Sequence, residues 1–355
     1  MGSDWTVADV LSRLPRGTTG QSPAPEYRPV YVGRALDLGL CVESMRDHMT
    51  DEGWTLFKGL QNNGWRLTGA PYGASELDFR ITDCRDIANL LPRSLLLQDK
   101  NEWDVGGRDF RDASAGFQHT AELRGRRDIF KLIVRKDAHQ RQDYNKESAD
   151  EVGVHAWVVY YDPRVVHHLS PFMRPQHIIR TWHSLEPSLV PPFSAERSGV
   201  LFSGALGNAY PLRNRMQTMR LPECTYLPHP KYHRRGCATP EFLRTLSKFR
   251  VAVCTSSRYG YVLRKMVEAT ACGCTVFTDL PTDEVVPGID GNLVRVHPDT
   301  PERTIVGVLK EMLHNWDAGR QRHFAEEAKR LYDWRATGAR LAADIEALRR
   351  GYDRS

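Results

Sequence analysis

Short apolar runs rich in β-branched residues alternate along this chain with longer amphipathic segments, and they do so twice. The first series is "SLLLQD" (94–99), "IFKLIVRKD" (129–137), "WVVYYD" (157–162) and "HIIRTWHS" (177–184). The second is "VLFSGA" (200–205), "TYLPH" (225–229), "RVAVCTSS" (250–257), "CTVFTD" (274–279) and "NLVRV" (292–296). Runs this apolar are buried on both faces, which is the habit of strands in a parallel sheet flanked by helices. Between the two series lies "LEPSLVPPFSAERSG" (185–199), rich in proline and without period, which reads as a domain boundary. The expectation is therefore an N-terminal α/β domain over 1–190, loosely ordered in part over 1–28, and a second over 191–330.

From Pro301 onward three amphipathic stretches follow one another with no strand between them, so the chain should end as a helical cluster. At 355 residues the chain is long enough for two cores. It has no run of about 18 apolar residues and no apolar leader, so a cytoplasmic location without a membrane span is expected. Seven cysteines without a C-x-x-C pair fit reduced thiols, with Cys272 and Cys274 as packing residues at a helix end, and no metal site is expected.

Charge is unevenly placed. The net charge is +5, yet Leu206 to Lys265 holds 12 Lys/Arg against 2 Asp/Glu, a local surplus of 12 − 2 = +10. Such a block points to an anionic ligand or to a solvated basic face. Within it "SRYGYVLRKMVEATACGCTVFTD" (257–279) reads as turn, helix, glycine stop and strand. Tyr261 and Val262 would supply N–H groups at the helix start, a setting suited to phosphate, with Arg264 and Lys265 adding charge. These two cations are about 100° apart on a helix, so one of them reaches the ligand, and Lys265 is preferred. Glu268, one turn on, can accept two hydrogen bonds from a ribose diol. The combination spells a nucleoside diphosphate.

The same segment resembles the donor-binding part of nucleotide-sugar-dependent glycosyltransferases of the GT-B fold, through "EATACG" and the strand ending in "VFTD". "GVLFSGALGNAYPLRNRM" (199–216) and "YLPHPKY" (226–232) are similar to the opening strands and phosphate-side loop of that family's C-terminal domain, in the group 1, family 4 manner. The likeness extends over about 199–300 and is weaker in the N-terminal half. It implies two Rossmann-like domains facing a central cleft, with a C-terminal helix over 331–355 packing back on the first. It also implies a nucleotide-diphosphate sugar, UDP-linked, as co-substrate, with no permanently bound cofactor. By resemblance Glu268 binds ribose, Lys265 or Arg264 and Arg213 the pyrophosphate, and Ser203-Gly204 forms the phosphate loop. Many retaining members carry a second acidic residue eight positions before this glutamate; here that place is Gly260, with Ser257 in a looser alignment.

Candidates for deprotonating an acceptor hydroxyl are polar residues after first-domain strands: Asp99 first, His183 second, with Glu102, Asp104, Asp137 and His139 also in such positions. The implied activity is hexosyl transfer, metal-independent because side-chain cations stabilise the leaving diphosphate, to a glycan or to a hydroxymethylated base in DNA. The alternative is a non-catalytic nucleotide-sugar or nucleic-acid binding protein on the same scaffold. A dinucleotide-dependent enzyme is disfavoured by the lack of G-x-G-x-x-G after any strand.

Overall fold

A computed structural model describes residues 30–32, 52–68, 82–83, 93–98, 117–118, 120–135, 138–139, 142–228 and 239–352. Its strands are β1 (Val30–Val32), β2 (Arg66–Thr68), β3 (Thr82–Asp83), β4 (Ser94–Gln98), β5 (Phe117–Gln118), β6 (Phe130–Arg135), β7 (Ala156–Val159), β8 (Ile178–Arg180), β9 (Val200–Gly204), β10 (Cys224–Pro228), β11 (Val251–Val253), β12 (Thr275–Thr278) and β13 (Leu293–Arg295). Every apolar run singled out in the sequence forms one of them. Strands β1, β2, β3 and β5, of two or three residues each, match none of those runs. Helices are α1 (Glu52–Asn62), α2 (Thr120–Gly125), α3 (Gln142–Val152), α4 (Pro163–Leu169), α5 (Pro211–Met216), α6 (Thr239–Leu246), α7 (Arg264–Ala271), α8 (Glu302–His314), α9 (Ala318–Leu331) and α10 (Trp334–Tyr352).

The chain divides into two compact units. One contains Leu56–Thr181 and Gly338–Ser355; the other contains Trp182–Thr337. The change therefore falls after β8, and the proline-rich 185–199 segment belongs to the second unit. Leu185 is buried there and pairs with the Tyr332–Trp334 backbone, donating to the Tyr332 carbonyl at 2.6 Å and accepting from Trp334 N at 3.0 Å.

The first unit holds a six-stranded parallel sheet of order β2-β1-β4-β6-β7-β8, with a separate parallel pair β3-β5. Leu95, Leu96, Leu97, Leu132 and Val134 are fully buried, so both faces are covered. The last helix, α10, begins in the second unit and continues in the first, where Tyr352 lies 4.5 Å from the His155 ring and 5.7 Å from Phe130.

The second unit is a five-stranded parallel sheet of order β10-β9-β11-β12-β13. Alternate residues of the same strands feed two cores. Leu201, Ala252 and Val276 pack with Met266, Val267 and Ala269 of α7. Val200, Phe202, Val251, Val253 and Phe277 pack on the other face with Leu212 and Met216 of α5 and Ile305 and Leu309 of α8. This is the period-2 geometry of a strand made into a doubly wound sheet. Because β10 lies on one side of β9 and β11 on the other, the carboxyl ends of β9 and β11 open a crevice at the point where the winding reverses, which is where open α/β sheets bind ligands.

Candidate nucleotide site

Two cations converge on that reversal point. Arg213, on α5 after β9, donates from Nη1 to the Ala205 carbonyl at 2.8 Å, from Nε to Thr255 Oγ1 at 2.9 Å and from Nη2 to the Thr255 carbonyl at 2.9 Å. One guanidinium thus ties the end of β9 to the end of β11, and the Tyr210 ring lies 4.0 Å beneath it. Arg213 is buried, and burial lowers its pKa from the ordinary value. From α7, the half-buried Lys265 donates from Nζ to the Ser203 carbonyl at 2.8 Å. Desolvation, reinforced by the facing charge of Arg213, brings its pKa down to about 7.

Gly204 is required between them. Its φ is +120°, and a Cβ at this position would strike the Lys265 ammonium and lie 2.8 Å from Arg213 Nη1. Ser203 itself is buried, with its carbonyl engaged by Lys265.

Helix α7 begins later than the sequence suggested. Leu263 is its N-cap in an extended conformation, and the first helical residue is Arg264. Tyr261 and Val262 precede it as buried lead-in residues and do not supply the first-turn N–H groups. Val262 packs in the core shared with Met266 and Val267. At the other end the glycine stop forms a Schellman motif: Cys274 N donates to the Ala269 carbonyl at 2.9 Å and Gly273 N to that of Thr270 at 2.8 Å. Gly273 has φ +83°, and a Cβ there would lie 2.7 Å from the Phe193 ring. Cys272 and Cys274 are buried at this end with free thiols, and burial raises the pKa of each.

The neighbouring residues Arg264 and Lys265 take different partners. Arg264 turns along its own helix to Glu268, with Nε 3.0 Å from Oε1, and both are buried. His183 is also buried, with Nε2 3.1 Å from the Val262 carbonyl, so it braces the lead-in to α7. His139 occupies a half-buried turn after β6. Asp99, Glu102, Asp104 and Asp137 lie outside the described residues.

Several participants gave no sequence signal of their own. Thr255 is an ordinary residue of "CTSS", and only the fold makes it the acceptor for Arg213. Asp279, the last residue of "VFTD", accepts from Ser256 N at 2.5 Å, which fixes the turn after β11; burial raises its pKa, against these hydrogen bonds. Arg258 N then donates to the Ala209 carbonyl at 2.7 Å, joining that turn to the β9–α5 loop. Tyr210, three residues before Arg213, carries the one hint available in sequence, a one-turn aromatic and cation spacing. No group of three or more His, Cys, Asp or Glu side chains able to hold a metal ion occurs among the described residues. No helix among them is long and apolar enough to cross a membrane.

No family model matches the chain, and no curated protein matches it. Solved structures do. Sucrose-phosphate synthase from Thermosynechococcus elongatus superposes with a TM-score of 0.57 at 12% identity, over 92% of this chain and 100% of that one. HepE from Anabaena in complex with UDP-glucose gives 0.57 at 9% identity, over 91% and 100%. The same protein with UDP and glucose gives 0.52 at 10% identity, with the same coverage. At such identities the likeness speaks for architecture, and it covers both units: this chain has the GT-B fold of two Rossmann-like α/β domains, as those glycosyltransferases do.

Proposed function

We propose that the chain is a glycosyltransferase that moves a sugar from a nucleoside-diphosphate donor, UDP-linked, to a hydroxyl acceptor. One observation carries this reading: Arg213 and Lys265, two cations that both reach Gly204 at the carboxyl ends of β9 and β11, where a side chain would strike them. Like charges in contact are costly unless an anion joins them. A diphosphate is the anion that this place in an α/β sheet accommodates. HepE, with the same fold, was solved with UDP-glucose, which supports UDP as the carrier.

In the reaction, the bond from the sugar C1 to the diphosphate oxygen breaks and its electron pair leaves with the diphosphate. The acceptor oxygen bonds to C1 and its proton passes to a base. The transition state carries growing negative charge on the leaving group, and Lys265, with the fixed field of Arg213, offsets it without a metal ion. Glu268 serves the ribose diol, with its carboxylate oriented by Arg264. Asp99, the residue after β4 in sequence, is our choice of base if the anomeric centre inverts, with Asp104 as a further candidate; in a retaining reaction the leaving phosphate takes the proton. His183, committed to the Val262 carbonyl, serves the site by bracing α7.

A glycan or small-sugar acceptor is favoured over DNA, because much of the basic block turns inward. Arg215 donates to the Pro298 and Thr300 carbonyls, Arg250 to those of Arg197 and Leu313, and Arg264 pairs with Glu268. These charges are not available to line a duplex groove.

The test is thermal shift and calorimetry with UDP, GDP, ADP and their glucose conjugates on the wild type and Lys265→Met. One diphosphate should raise the melting temperature of the wild type and lose most of that effect in the variant. If no nucleoside diphosphate binds, the reading fails. Binding without release of nucleotide across a panel of sugar acceptors would instead favour the binding-protein alternative.

A further inference from the structure

Arg258 is a cation among the described residues that neither the core of the second unit nor the diphosphate reading employs. It is exposed, on the turn that follows β11 at the winding-reversal crevice. The turn is rigid. Ser256 N is fixed by Asp279 Oδ1 at 2.5 Å, Tyr259 N lies 3.3 Å from Ser257 Oγ, and Gly260 N donates to the Ser257 carbonyl at 2.8 Å. Gly260 has φ +69°, and a Cβ there would lie 3.0 Å from Pro281. Arg258's own N–H is tied to the Ala209 carbonyl, so its backbone joins the two loops that rim the crevice. Its side chain is ordered as well: Nη2 donates to Tyr259 Oη at 2.8 Å, and the guanidinium lies 5.0 Å from the Tyr259 ring centre.

A guanidinium steadied in this way is a planar fork suited to a carboxylate or phosphate. A nucleotide sugar brings two negative charges on its diphosphate, and Arg213 with Lys265 answers them. Arg264 is answered by Glu268. Arg258, exposed on its turn, is in neither of these pairings. The turn itself, Ser257 to Gly260, offers no carboxylate to hold the hydroxyls of a neutral sugar.

We propose that Arg258 is a specificity-determining residue that selects a donor whose sugar carries a carboxylate, a uronic acid in place of a neutral hexose. The inference rests on the donor-site reading above. Arg258 takes the anion at the exposed rim, Lys265 and Arg213 hold the diphosphate at the strand ends, and Glu268 takes the ribose. The Tyr259 ring offers an apolar face to the sugar beside the charge.

The experiment is calorimetric titration of the full chain with UDP, UDP-glucose and UDP-glucuronate, on the wild type, Arg258→Gln and Arg258→Lys. The wild type should bind UDP-glucuronate about tenfold more tightly than UDP-glucose, the size expected of a charge-assisted hydrogen-bonded pair. Arg258→Gln should erase that preference and leave UDP affinity unchanged; Arg258→Lys should restore part of it. Equal affinity for the two donors in the wild type, or a preference that survives Arg258→Gln, overturns this inference alone. If UDP and other nucleoside diphosphates do not bind at all, the donor-site reading fails and this inference falls with it. A parallel arm titrates the UDP-loaded protein with glucose and glucose 6-phosphate. A preference for the phosphate that depends on Arg258 would move the anion to the acceptor and overturn the assignment to the donor.

Discussion

Two lysines, one in each unit, show how the same perturbation arises from opposite arrangements. Lys131, on β6, is buried and donates from Nζ to the Leu123 carbonyl at 2.6 Å and the Arg126 carbonyl at 3.0 Å, at the end of α2. Its pKa falls to about 8, chiefly from desolvation, with Asp128 pulling it up and Arg126 down. Lys265 falls to about 7, again chiefly from desolvation, with Arg213 pulling it down and Cys254 and Glu268 pulling it up. Lys131 is placed among carbonyl acceptors at a helix terminus, where a cation is stabilised by the macrodipole. Lys265 is placed against another cation at a crevice. On the reading proposed above, the second arrangement is the one that receives an anion. A lowered lysine pKa alone does not separate a cap from a ligand site, and the partners do.

The largest expected effect sharpens this contrast through Arg264, the buried cation beside Lys265 that does have a carboxylate. Glu268→Ala removes the carboxylate 3.0 Å from the buried Arg264 guanidinium and should cost about 3–5 kcal/mol in denaturant unfolding. A double replacement, Arg264→Met with Glu268→Leu, should recover most of that loss while nucleotide affinity stays low. Full stability in Glu268→Ala would show that the pair is solvated and that α7 is not held as described.

Next come the two lysines themselves. Lys131→Met should destabilise the chain by about 1–3 kcal/mol, since two buried carbonyls lose their donor, and should leave UDP affinity alone. Lys265→Met should do the reverse: unchanged or raised melting temperature, with at least about tenfold weaker UDP binding. If both variants lost stability alike, the comparison would break and Lys265 would be a cap.

The smallest effect is in pH. Both folded pKa values lie below the unfolded one of about 10.4, so the unfolded chain holds more protons between about pH 7 and pH 10. The ligand-free protein should therefore gain stability as pH rises through that window. Donor binding should run the other way. A diphosphate beside Lys265 raises its pKa, so binding takes up a proton, and affinity should fall by up to about tenfold per pH unit above pH 7. Calorimetry in two buffers of different ionisation enthalpy measures the proton uptake directly, and uptake absent in Lys265→Met assigns it. A nucleotide sugar is the right ligand here, because its diphosphate does not itself titrate near neutrality.

Much of this was legible in local pattern. A run such as "SLLLQ" has one way to be buried on both faces, and "ATACGC" stops a helix because Gly273 alone can take the left-handed position with Phe193 against it. The identities of Lys265 and Glu268 as site candidates came from residue type and spacing. The start of α7 was misplaced by three residues, because helical periodicity does not register the extended Leu263 that caps it. Proline content marks irregular backbone without saying where it packs, and here that backbone sets Leu185 against Tyr332–Trp334.

By itself, then, the sequence determined two parallel α/β units, a helical end, and a basic segment suited to an anion, since periodicity and charge are properties of neighbouring residues. Only the tertiary structure decided which of two adjacent cations faces the crevice. Arg264 and Lys265 point about 100° apart on one helix. What lies in each direction, Glu268 for one and the ends of β9 and β11 for the other, is set by strand order. Strand order is a matter of contacts between distant residues, and no local pattern carries it.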